Sequence, residues 1–132
     1  MKRRKWMLLL QTAAELARLG FASATASFES RLAQIRDLSK PLDLELLVYG
    51  RLPLMLMEHC ILRNRGQGCH CQDKPQSLGD RKGEHFPVEP AWGCRNELFN
   101  AKPLWLADKT DWRTAGAAYA RLAFLREGPG EC

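Results

Sequence analysis

The sequence predicts an α/β fold, and three observations predict it. Leu44–Tyr49 is apolar at every position but Glu45, a run of strand length closed by Gly50 and Pro53. A strand of that kind reads as buried on both faces, the habit of parallel sheets covered by helices. Stretches of helical and strand spacing alternate ahead of it with short links, the pattern of parallel strands joined by right-handed crossovers. The strand then delivers the chain into a segment holding Cys60, Cys69, Cys71 and Cys94, four of the five cysteines.

A length of 132 residues and a hydrophobic fraction of 45% are those of one globular domain. The formal charge of +5 admits an anionic partner such as RNA without demanding one. The opening Met1-Lys2-Arg3-Arg4-Lys5 looks like the start of a signal peptide. The apolar run behind it, Trp6–Leu10, is too short for one before Gln11, Thr12 and Glu15 intervene. No run approaches the length of a membrane span. The expectation is a cytoplasmic protein, away from membranes, with reduced thiols.

Trp6–Leu19 predicts a helix, with Leu8, Leu9, Ala13, Leu16 and Ala17 at helical spacing and Gly20 as its stop. Phe21–Ala26 is a short strand. Phe28–Leu38 follows as a helix with Phe28, Leu32, Ile35 and Leu38 on one face, capped by Ser27 or Ser30 and ended by Pro41. After Leu44–Tyr49, Arg63–Cys71 is a polar, glycine-bearing loop. Leu78–Val88 is a hairpin turning near Asp80–Gly83, with Pro87 limiting its second arm. Trp105 and Leu106 read as buried. Asp111–Gly116 reads as a short helix that Tyr119–Glu127 can continue. The whole is one domain in three stretches, 1–59, 60–100 and 101–132.

The cysteines follow Cys60-x8-Cys69-x-Cys71-x22-Cys94. Thiolates are soft ligands, and four of them suit tetrahedral zinc or a 4Fe-4S cluster. Arg63, Arg65 and Lys74 are placed to favour the deprotonated sulfurs. Cys69 and Cys71 form a tight pair that need not serve one ion, in which case His59, His70 or His85 completes the set. Cys132 lies in the tail, outside it. There is no G-x-S-x-G and no H-E-x-x-H. A hydrolytic site would need Cys60 as nucleophile with His59 or His85 as base. Glu45, in an apolar strand, needs a partner, with Arg51, Arg81 and Arg121 available. A structural ion pair and acid–base work are both open to it. Asp80 and Arg81 read as a turn in which the carboxylate caps the backbone.

Longer stretches carry a resemblance. They are Glu45-x-Leu47-x-x-Gly50-Arg51-Leu52-Pro53-Leu54-Met55 with Glu58-His59-Cys60, then Leu78-Gly79-Asp80-Arg81-Lys82-Gly83-Glu84-His85-Phe86-Pro87, then Cys94-Arg95-Asn96-Glu97 with Asn100-Ala101-Lys102-Pro103-Leu104. Together they resemble the collagenase-like peptidases of the U-thirty-two family over about Leu19–Glu127. Ser27-x-Glu29 is similar to that family's S-x-E at the end of a barrel strand. The resemblance implies a partial (β/α) TIM-type barrel, the C-terminal portion of the family fold, with a cysteine-rich hairpin insertion. It makes Arg121–Leu125 a last barrel strand. The chain would then be a truncated or split member, with a second chain supplying the rest of the barrel. The activity implied is that of a peptidase on a peptide substrate. As in members with a cysteine-ligated four-iron cluster, it can instead be oxygen-independent hydroxylation of RNA bases or a small aromatic. Cys60, Cys69, Cys71 and Cys94 would hold the metal, and Glu45 and Arg51 would be the catalytic residues near substrate. The alternative is a non-catalytic module, in which zinc pins the loop and the basic surface binds RNA or a partner subunit.

Overall fold

Leu44, Leu46 and Val48 alternate along one strand and are buried together, and the first half of the architecture is built on that alternation. The structure is a computed structural model that describes residues 11–61, 63, 75–109 and 111–130. In chain order the elements are α1 (11–18), β1 (Ser23–Thr25), α2 (Leu32–Leu38), β2 (Asp43–Gly50), β3 (Pro53–Met57), β4 (Gln76–Gly79), β5 (His85–Ala91), β6 (Arg95–Phe99), β7 (Leu104–Trp105), α3 (Asp111–Thr114) and β8 (Tyr119–Ala123). They divide into two units, Met1–Gly50 with Trp105–Cys132, and Arg51–Leu104.

In the first unit β1 and β8 both pair with β2 in parallel, and β7 joins the same sheet. Ala13 of α1, Ile35 and Leu38 of α2, Trp112 of α3 and Ala115 gather with Leu44, Leu46 and Val48 into one core. Burying each of the larger aliphatic side chains contributes about 1.5–3 kcal/mol. The helices thus supply one face of β2 only. Glu45, Leu47 and Tyr49 on the other face are half-buried, which corrects the expectation of burial on both faces. Trp105, expected in the core, is 57% exposed. Its ring stands edge-on to Tyr49 at 5.5 Å, and Tyr49 also meets Phe124 at 5.3 Å.

The helix expected from Phe28 begins later. Ser27 caps a turn, accepting the Glu29 N–H at 3.3 Å on its hydroxyl and the Ser30 N–H at 2.9 Å on its carbonyl. α2 starts at Leu32, where the Gln34 side chain accepts the Arg31 N–H at 2.8 Å. It ends where the Ser39 hydroxyl donates to the Arg36 carbonyl at 3.0 Å. Of the first expected helix, residues 11–18 are helical, and Trp6–Leu10 lie outside the described residues. The basic start Lys2–Lys5 lies outside them as well. Tyr119–Ala123 is a strand and not a continuation of α3. Gly116, at φ +88°, separates the two.

The second unit is an antiparallel sheet in the order β3-β6-β5-β4. Its expected hairpin is present as β4 and β5. Asp80 holds the turn, its carboxylate accepting the N–H of Lys82 at 2.7 Å and of Glu84 at 3.0 Å. Val88 of β5 and Asn96 of β6 are its most deeply buried side chains among the described residues.

The expected partial (β/α) TIM-type barrel is overturned. The molecule is mostly sheet, two four-stranded sheets with few helices, and the described residues form no closed barrel and no repeating β/α pattern. The reason lies after Gly50. Parallel neighbours need a long crossover, whereas β4–β5 and β5–β6 are joined by turns of a few residues that allow antiparallel pairing only. The crossover β1–α2–β2 is therefore a single unit and not the start of a series. No helix among the described residues is long and apolar enough to cross a membrane.

Candidate metal centre

Antiparallel register brings the two described cysteines of the second unit together. β3 pairs with β6 up to Met57 opposite Asn96, so the residues just after Met57 lie beside those just before Asn96. An ion pair between Arg95 and Glu58, 2.8 Å apart, continues the alignment one step beyond the strands. Cys60 follows and is buried. On the other side, β5 and β6 are last paired at Ala91 and Arg95, leaving Trp92, Gly93 and Cys94 as the turn. Glu58, His59, Cys60, Arg63, Gly93 and Cys94 line one cavity of about 320 Å³.

Two hydrogen bonds shape the Cys60 side of the cavity. The Arg63 N–H donates to Cys60 Sγ at 3.4 Å. Asn96 is fully buried, and its Oδ1 accepts the Ile61 N–H at 2.9 Å, fastening the backbone beside Cys60 to β6. On the other side Cys94 has φ +62°, the sole positive φ of a non-glycine residue among the described residues. That conformation is uncommon for a side chain other than Asn, Asp or His, and such outliers cluster at functional sites. The N–H contact orients the Cys60 sulfur within the cavity wall.

The other predicted site residues stand elsewhere. Cys69 and Cys71, with His70, Arg65 and Lys74, lie outside the described residues. Among the described residues, no three His, Cys, Asp or Glu side chains converge as a metal-ligand group. His59 lines the cavity, whereas His85 lies on β5 with Nδ1 3.5 Å from the Ser77 hydroxyl. Glu45 belongs to the first unit. Its Oε1 accepts the Thr25 hydroxyl at 2.9 Å and a guanidinium N–H of Arg121 at 3.3 Å, so its partner is Arg121. Arg51 belongs to the second unit and donates to the carbonyls of Asn100, at 3.0 Å, and of Ala101. Residue type marked the cysteines in the sequence, but Asn96 and Trp92 went unread. A buried amide inside a strand has no local signature, and a turn tryptophan looks like any other.

Comparison with protein-family models, with curated proteins and with solved structures found no match.

Proposed function

We propose that the second unit is a cysteine-ligated zinc module, with Cys60 and Cys94 as two ligands and Cys69 and Cys71 completing the set. The observation that carries this is the meeting of Cys60 and Cys94, distant in sequence, at one cavity. The thinness of the surrounding core supports it. Among the described residues of this unit, the buried apolar side chains are Cys60, Pro87 and Val88. A small sheet with few buried apolar side chains among its described residues is the kind of unit that a structural metal staples. Zinc accepts four thiolates in a closed tetrahedral site, the arrangement of structural zinc. The peptidase and hydroxylase readings rest on the sequence resemblance alone, and the barrel which that resemblance implies is not formed by the described residues. Glu45 and Arg51 each have structural partners inside their own unit, which supports a holding role for both.

Metal analysis of the protein expressed with both zinc and iron supplied tests the proposal. The expected result is about one zinc per chain, lost in Cys60→Ser and in Cys94→Ser. Protein that carries no zinc and takes none up, or variants that keep all of it, would overturn the reading. Iron with acid-labile sulfide and absorbance in the visible would replace zinc by a cluster in the same thiolates.

A further inference from the structure

We infer that the proposed zinc site is a redox switch, in which hydrogen peroxide joins Cys60 to Cys94 as a disulfide and expels the metal that the two thiolates hold. The expulsion rests on the zinc reading, whereas the pairing of the two sulfurs rests on the register of the second unit. β3 and β6 are still paired at Met57 and Asn96, and the Glu58–Arg95 ion pair keeps the two segments together one step further. Facing Cα atoms of an antiparallel pair lie about 4.5–5.5 Å apart, inside the range of about 4.4–6.8 Å that a disulfide spans. Past Cys60 the chain is still held to β6, because the Ile61 N–H donates to Asn96 Oδ1 at 2.9 Å, and Asn96 is two residues from Cys94. Both cysteines line the same cavity.

The two cysteines differ in a way that divides the work between them. Cys94 is exposed and Cys60 is buried. An oxidant arriving from solution meets Cys94 first, since exposure and thiolate character decide which sulfur reacts. The Cys94 thiolate attacks one oxygen of the peroxide, the O–O bond breaks and hydroxide leaves, so that Cys94 becomes a sulfenic acid. The Cys60 thiolate then attacks that sulfur. The S–S bond forms, the S–O bond breaks and a second hydroxide leaves. The two thiolates have given up two electrons and the peroxide has taken them. Zinc, with two of its ligands gone, returns to solution. The disulfide fastens the same two segments that the metal fastens, so the β3–β6 register outlasts oxidation. The site therefore reloads once a dithiol has restored the thiolates.

Titration of the zinc-loaded full chain with hydrogen peroxide tests this, with released zinc read by a coloured chelator and the product digested by trypsin without reduction. Trypsin leaves Cys60 in the peptide 52–63, Cys94 in 83–95, and Cys69 with Cys71 in 66–81. The expected product is 52–63 joined to 83–95, with about one zinc released for each link formed, and both changes reversed by a dithiol. Links that run through 66–81 instead, or a Cys94 that passes on to sulfinic acid without joining Cys60, would overturn the switch and leave the zinc reading standing. Protein that takes up no zinc yet joins 52–63 to 83–95 would remove the zinc reading, and the expulsion with it, and keep the pairing of the two sulfurs.

Discussion

The carbonyl oxygen of Ala123 lies 2.5 Å from where a Cβ on Gly50 would stand, and Gly50 itself has φ +143°. These residues are paired in the parallel ladder of β2 and β8, just past the register shift between Leu47 and Tyr49. Any side chain at Gly50 would meet backbone, which cannot swing aside as a flexible side chain can. Gly50→Ala should therefore destabilise the first unit by about 2–4 kcal/mol, through strain at positive φ and loss of the close approach. Urea titration followed by far-ultraviolet circular dichroism gives the number. An unchanged midpoint would mean that β8 does not approach β2 so closely.

Cys94→Gly separates ligation from packing. If the thiol only filled space, glycine would relieve the left-handed conformation and raise stability by up to about 1 kcal/mol, net of the added chain entropy. If Cys94 holds zinc, metal is lost and the second unit is weakened despite the relaxed backbone. Thermal melts with and without a strong chelator read both effects. The variant should melt lower than the parent without chelator, and at least as high as the parent once chelator is present in both.

Asn96→Ala leaves the Ile61 N–H without its acceptor. The Nδ2 of Asn96 has no hydrogen-bond partner among the described residues, so its removal returns part of that loss. The net cost should be about 1–2 kcal/mol, at the low end for an abandoned buried donor. If Cys60 holds zinc as proposed, the metal should leave the variant faster in competition with a coloured chelator, because Ile61 is the neighbour of Cys60.

Glu127 ties stability to acid. Burial works to raise its carboxyl, but the N–H groups of Leu125, Arg126 and Glu127 itself, with the Tyr49 hydroxyl, outweigh it and hold the group below its ordinary 4.5. A lowered carboxylate adds stability that is complete above the ordinary value and is lost as pH falls through the lower, folded one. The parent should therefore lose stability below about pH 4.5 more steeply than Glu127→Gln, by a small margin because solvent screens the group. Melting temperatures from pH 6 down to pH 3 should converge for the two proteins at the acid end.

Local pattern carried some of this architecture and not the rest. β2 is legible as a strand because its short apolar run and its closing Gly50 are written in adjacent residues, but Leu47 and Tyr49 are as apolar as their buried neighbours, so the run hides that one face only is buried. The β4–β5 hairpin is legible because Asp80 and Gly83 make the turn they predict. Pro53 read as a strand breaker, yet it begins β3, where an edge strand tolerates the missing N–H. β6 carries Arg95, Asn96 and Glu97 and has no strand signature of its own. Its pairing with both β3 and β5 makes it a strand, a non-local effect that propensity does not encode. Residue type marked the thiols as candidate ligands, but that Cys60 and Cys94 line one cavity depends on the β3–β6 register. That register also separates the outcome from the expected barrel: residues 51–104 form hairpins where a barrel would need crossovers.

The first unit is interrupted by the second, and this orders the birth of the molecule. As the chain leaves the ribosome, β2 appears with β1 beside it and its other flank open until β7 and β8 have been synthesised. Residues 51–104 form one uninterrupted run and can complete their hairpins in the meantime. Nascent chains stalled before Tyr119 should thus show protease resistance in the middle of the sequence and sensitivity ahead of it. A stop codon there would cost the protein its amino-terminal half as surely as its carboxyl end.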